Sequence, residues 1–134
     1  MSEFLPGLFT LMEDDLTLIP LVAQRIYSFP APQGAASPFI TLQIVNSLPT
    51  RTFDGPTFDD WSVQIDCWVI DQPVGKSKNK LLEQVTKAVR SLLDDFGGIM
   101  NGKEVMLVQY DSERDLPSDT SLRRQLDFTF KVKR

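Results

Sequence analysis

The chain has 134 residues, 42% of them hydrophobic and 24% charged, a composition that supports a single domain with one core. Fourteen basic against 18 acidic residues give a net charge of −4, which argues mildly against a nucleic-acid binder, because that role calls for a basic face. Histidine is absent and Cys67 is the only cysteine, so zinc centres, serine triads and Cys–His dyads are effectively excluded and no intrachain disulfide can form.

The N-terminus, MSEFLPGLFTLMEDD, is acidic and interrupted by Pro6, so it is not expected to be a signal peptide. Phe4, Leu5, Leu8, Phe9, Leu11 and Met12 recur at helical spacing and predict a short helix over 3–12, with Ser2 as its cap. Asp14-Asp15 predict a second helical turn through Leu16, Leu18 and Ile19, ending near Pro20. Arg25–Tyr27 reads as a short strand or extended arm. Three prolines and a glycine from Phe29 to Pro38 then predict a loop without regular structure.

Phe39–Ser47 predicts a strand, with Ile40, Leu42 and Ile44 on one face. Leu48–Phe58 reads as a connection turning at Asp54-Gly55-Pro56. Asp59–Ile70 predicts the antiparallel partner of that strand, with Trp61, Val63, Ile65, Cys67 and Val69 on its core face. Cys67 is expected to be a buried core thiol. From Ser77 to Phe96 the apolar residues Leu81, Leu82, Val85, Ala88, Val89, Leu92, Leu93 and Phe96 form one helical stripe. Ser77 is the expected N-cap and Gly97-Gly98 the expected stop. Asn101-Gly102 is a strong two-residue hairpin signal. Glu104–Tyr110 predicts a third strand, Asp111–Asp119 a polar loop, and Thr120–Arg134 a fourth strand with Leu126, Phe128, Phe130 and Val132 facing inward.

This order predicts an α+β domain spanning 1–134: an antiparallel sheet of about four strands, one long helix packed across it, and short N-terminal helices. No apolar run approaches the roughly 20 residues of a membrane span, so a membrane is not an expected partner. The expected workplace is a reducing cytoplasm, or an assembly built there.

Candidate chemistry is sparse. Asp59-Asp60, Asp66, Asp94-Asp95 and Glu113/Asp115 are the carboxylates that could pair for acid–base work or Mg²⁺. Each also fits a solvated surface. Gly75-Lys76-Ser77 lacks the first glycine of a phosphate loop, since position 70 is Ile. No catalytic, metal or cofactor-binding residue is therefore assigned. The basic end at Arg123, Arg124, Lys131, Lys133 and Arg134 fits edge-strand protection, an acidic partner surface or a nucleic-acid duplex in a channel. Trp68 falls on the strand face opposite the core, among Gln64 and Asp66. It therefore suggests either a second contact surface or cover by a short N-terminal helix. With Trp68 we group Ile70, Phe53 and Phe58. Arg51, Arg114 and Asp115 join them from the long loops, and Arg123 from the basic strand, as candidates for an oligomer or partner interface.

Several strings together resemble the tail-completion or tail-terminator proteins of long-tailed bacteriophages: LFTLMEDDLTLIPLVAQRIY near the start, APQGAASPFITLQIV (Ala31–Val45), DDWSVQIDCWVID (Asp59–Asp71), LLEQVTKAVRSLL (Leu81–Leu93) and RRQLDFTFKVK (Arg123–Lys133). The resemblance covers roughly residues 8–134. It implies a virion structural protein of the tail, assembled in the host cytoplasm. Such a protein forms a ring, typically a hexamer, that caps the tail tube, ends its polymerisation and joins tail to head. The implied partners are further copies of itself, the tail tube protein and head connector proteins, with DNA passing the lumen without sequence-specific contact. The resemblance carries no catalytic residue and no cofactor. A head-completion ring protein of the same virion, a small metal-dependent enzyme using Asp59, Asp60 and Asp66, and an intracellular adaptor are the alternatives.

Overall fold

The computed structural model describes residues 4–52, 55–70, 78–116 and 121–133. Its elements in chain order are α1 (Leu5–Glu13), α2 (Ile19–Val22), β1 (Ile26–Ser28), β2 (Phe39–Thr52), β3 (Gly55–Ile70), α3 (Lys78–Leu93), β4 (Gly98–Met100), β5 (Lys103–Asp115) and β6 (Ser121–Lys133). The strands form one six-stranded sheet in the order β1-β2-β3-β6-β5-β4. β1 runs parallel to β2, and every other neighbouring pair is antiparallel.

This overturns the expected architecture of about four antiparallel strands backed by one long helix. The sheet is mixed and curls into a half-barrel. Two short strands, β1 and β4, extend it beyond the four expected. At 16 residues α3 is about 24 Å long, whereas β3, also 16 residues, extends for about 50 Å. No long helix crosses the sheet among the described residues; α3 backs part of it, and α1 and α2 share the work.

Strand length departs from expectation for a physical reason. Hydrophobic alternation marks only the part of a strand that meets the core. β2 and β3 continue through polar residues whose pattern reads as loop, with Gly55 and Pro56 inside β3. Asp54 of the expected turn lies outside the described residues. β5 continues past Tyr110 to Asp115 because polar cross-strand pairs hold it: Thr129 donates to Asp111 (2.6 Å), Ser112 to Asp127 (3.3 Å) and Arg124 to Asp115 (2.6 Å). β6 enters the sheet between β3 and β5, so its inward residues are flanked on both sides.

The helix layer covers one face. Phe4, Leu8 and Met12 of the first helical segment, Leu18 and Val22 near α2, and Leu82, Val85, Ala88, Val89 and Leu93 of α3 are buried. They meet Ile40, Leu42, Val63, Ile65, Cys67, Val69, Leu126, Phe128, Phe130 and Val132 of the sheet. Burying each large apolar side chain contributes about 1.5–3 kcal/mol. The Phe4 ring stacks on Phe130 at 5.3 Å and meets Trp61 edge-on at 5.7 Å.

Punctuation differs from expectation at two helix ends. Pro20 stands near the start of α2, in the first turn, where its missing N–H costs nothing. Asp15 Oδ2 accepts the N–H groups of Thr17 (3.2 Å) and Leu18 (3.0 Å) in the turn before it. After α3 the left-handed residue is Asp95 (φ 63°), two residues before the expected glycine stop. The expected Ser77 cap lies outside the described residues. Asn101 and Gly102, with φ of 51° and 79°, make the anticipated tight hairpin between β4 and β5.

Candidate functional site

The register of β3, β6 and β5 places the predicted interface residues. Trp68 faces Arg123 across β3 and β6, Ile70 faces Ser121, and Phe58 faces Lys133. Trp68, Ile70 and Arg123 therefore gather at one end of the sheet. Phe58 lies ten residues back along β3, about 33 Å away. There its ring sits under the Lys131 ammonium at 4.7 Å. Arg51 belongs to the far part of β2, towards the Phe58 end, and Phe53 lies outside the described residues. Arg114 and Asp115 fall at the end of β5, opposite Gln125 and Arg124. The eight residues thus form no single patch.

On the sheet face away from the helices, Trp68 is half-buried. Its indole N–H donates to Thr41 Oγ1 (3.0 Å), its ring stacks on Phe39 (5.7 Å, 13° between planes), and the Arg123 guanidinium lies 4.6 Å from its centroid. The cover comes from Phe39 and Arg123, with Phe29 of the 29–38 loop 5.9 Å beyond the guanidinium. Arg123 also pairs with Asp66 at 2.8 Å, and Gln64 donates to the same carboxylate oxygen at 3.2 Å. Asp66 is 1% exposed although it sits on the outward face. The loop above is tied down by Ile70 N–H donating to Ser37 Oγ (2.7 Å) and Arg25 Nε donating to the Pro38 carbonyl (2.9 Å).

A second constellation bridges α3 and the ends of β5 and β6. Arg124 bonds Asp115 and Glu83, and its Nε is 3.5 Å from Glu113. Glu113 also takes a hydrogen bond from Tyr110 (2.6 Å) and pairs with Arg90 at 3.1 Å, while the Arg90 guanidinium covers the Tyr110 ring at 4.3 Å. The bond from Arg124 holds the Asp115 carboxyl below its usual range. A depressed carboxyl stabilises the fold above its ordinary range and loses that contribution as pH falls through the lowered value. The Asp115 carboxylate is exposed and the effect correspondingly small. Burial, then the bond to Glu113, raises the Tyr110 phenol. The sequence marks Glu113 and Asp115 as neighbouring carboxylates; the β5–β6 register sets Arg124 beside them, and the packing of α3 on the sheet adds Glu83 and Arg90.

Cys67 is buried as expected, and burial pushes its thiol up to about 12. Native protein at pH 8 is therefore expected to resist a thiol reagent, and denaturant should expose the thiol in step with unfolding. Rapid labelling of the folded protein would contradict this placement. Among the described residues, no three or more Cys, Asp or Glu side chains are gathered as a metal site. The exposed large apolar side chains lie elsewhere: Leu16 (84%), Ile99 (74%), Leu48 (63%) and Val45 (57%) are the most exposed.

Comparison with solved structures finds the same fold in a chain of a structure described as the virion of a native gene transfer agent (GTA) particle. The TM-score is 0.78 at 13% identity, covering 94% of this chain and 91% of that one. A second solved structure matches with a TM-score of 0.61 at 13% identity, covering 100% of this chain and 97% of the other. A comparison with curated protein sequences finds no match. The model of the family described as tail completion protein gp17 matches residues 6–133. That span contains all six strands and nearly all of the three helices, and the chain belongs to the tail completion protein gp17 family.

Proposed function

We propose that this protein is a virion structural subunit that assembles as a ring on the phage tail tube, ends tail polymerisation and joins the tail to the head. The observation that carries the reading is family membership across residues 6–133. The fold shared with a chain of a gene transfer agent virion supports a place in a virion. The protein works by assembly, with tail and head components as partners. Trp68, Ile70, Arg123, Arg114 and Asp115 at one end of the sheet and Arg51 and Phe58 towards the other remain its proposed contact residues, together with Phe53. Contact areas at both ends of one subunit suit a stack in which tube and head lie on opposite sides of a ring.

Disrupting the gene in its phage, with electron microscopy of the lysate, tests this. Filled heads should appear unattached, beside tails of irregular length, and the supplied protein should restore joined particles. Normal infectious particles without the protein would overturn the reading.

A further inference from the structure

The most exposed large apolar side chains among the described residues, Leu16 and Ile99, line one groove. It lies between α1, the 14–18 turn, the end of α3 and β4, has a volume of about 700 Å³, and is lined further by Leu11 and Leu92. Strand bulges account for exposure at two other positions. The β2 register shifts between Ile44 and Asn46 and turns Val45 out; that of β5 shifts between Val105 and Leu107 and turns Met106 out. Nothing of that kind accounts for Leu16 or Ile99, and folding the monomer leaves both in water, so that the gain from burying them is open to a partner. The groove wall is firm: α1 lies so close to β4 that a Cβ on Gly7 would stand 2.6 Å from the Met100 carbonyl carbon.

Charge identifies the occupant. The lining carries two carboxylates, Asp14 and Asp15, and no lysine or arginine. Asp14 is exposed and has no ion pair among the described residues, and the run Glu13-Asp14-Asp15 makes the rim acidic. A second copy of this acidic chain is a poor match. We infer that this groove receives a segment of a different protein, presenting a large apolar side chain beside lysine or arginine. An apolar anchor in a desolvated slot supplies affinity, and the flanking charge supplies orientation. The inference rests on the assembly reading for the partner's place in the particle, but its test uses purified protein alone and stands whether or not that reading does.

The test is titration of ¹⁵N-labelled protein with a short amphipathic leucine–lysine peptide and, separately, its leucine–glutamate analogue. The lysine peptide should shift amides at Leu11, Leu16, Leu92 and Ile99, and should bind at least roughly tenfold more weakly to Leu16→Asp and Ile99→Asp proteins whose spectra are otherwise native. Added salt should weaken it. Equal binding of the glutamate peptide, or shifts confined to another surface, would overturn the proposal. So would sedimentation showing self-association that Leu16→Asp abolishes while no peptide binds, because the groove would then belong to a second copy.

Discussion

Replacing Gly7 by alanine is expected to lower stability by about 3 kcal/mol and the melting temperature by roughly 10 °C. Helix propensity alone points the other way, since alanine in place of a helical glycine gains about 1 kcal/mol. The opposing term is steric. The added Cβ would lie 2.5 Å from the Asn101 nitrogen, 2.6 Å from the Met100 carbonyl carbon and 2.7 Å from the Met100 Cα. All three are backbone atoms of the β4–β5 hairpin and cannot rotate aside. α1 must lift, and with it Leu8 and Met12, which are fully buried. Thermal unfolding by circular dichroism gives the sign at once. Hydrogen exchange should localise the lost protection to α1 and β4, and Thr10→Ala on the exposed side of the same helix should leave it intact. A gain in melting temperature would mean that α1 does not approach β4 this closely.

Much of the core was legible in the sequence. The stripe from Leu81 to Leu93 and the alternations Val63–Val69 and Leu126–Val132 are periodic because one side of each element meets the core, and these residues are buried or half-buried as expected. The sheet was not legible in full. β4 is three residues long, too short for any period to register; β1 falls where Arg25–Tyr27 reads as a short strand or extended arm, but nothing local marks its parallel pairing with β2. β6 takes its place between β3 and β5 by pairing across 50 or more residues of chain on the β3 side, which no local signal carries. The proposed interface suffered from the same gap. Alternation sets Trp68 on the outward face, where it lies, and marks Arg123 only as a charge. Their pairing needed the register Trp68↔Arg123, and so did the buried Asp66 beside them. Leu16 fits the helical turn expected after Asp14-Asp15, and Ile99 merely precedes a hairpin signal. A periodic pattern reports which residues could face a core and says little of which are left outside it.

That same register yields the second large effect. Arg123→Met is expected to cost about 3–5 kcal/mol, while the double variant Arg123→Met/Asp66→Asn should recover most of it. The reason is an asymmetry between the partners. Asp66 is almost wholly buried, 1% exposed against 22% for the Arg123 side chain. Its Oδ1 atom has no hydrogen-bond partner among the described residues. Remove the guanidinium and the carboxylate keeps only the Gln64 amide, 3.2 Å from Oδ2. Remove the carboxylate charge as well and the uncompensated ion is gone, while the introduced methionine side chain can still lie along the Trp68 ring. Urea unfolding of the four proteins in the double-mutant cycle measures the coupling directly. A coupling above about 1 kcal/mol is expected, since the two groups touch at 2.8 Å. Additive losses would mean that Asp66 and Arg123 do not act as a pair. The cycle also separates architecture from assembly. If Arg123 serves a neighbouring subunit in addition, the stability of the double variant returns but ring formation does not. Recovery of both would confine Arg123 to holding Trp68 and the 29–38 loop on the outer face of the sheet.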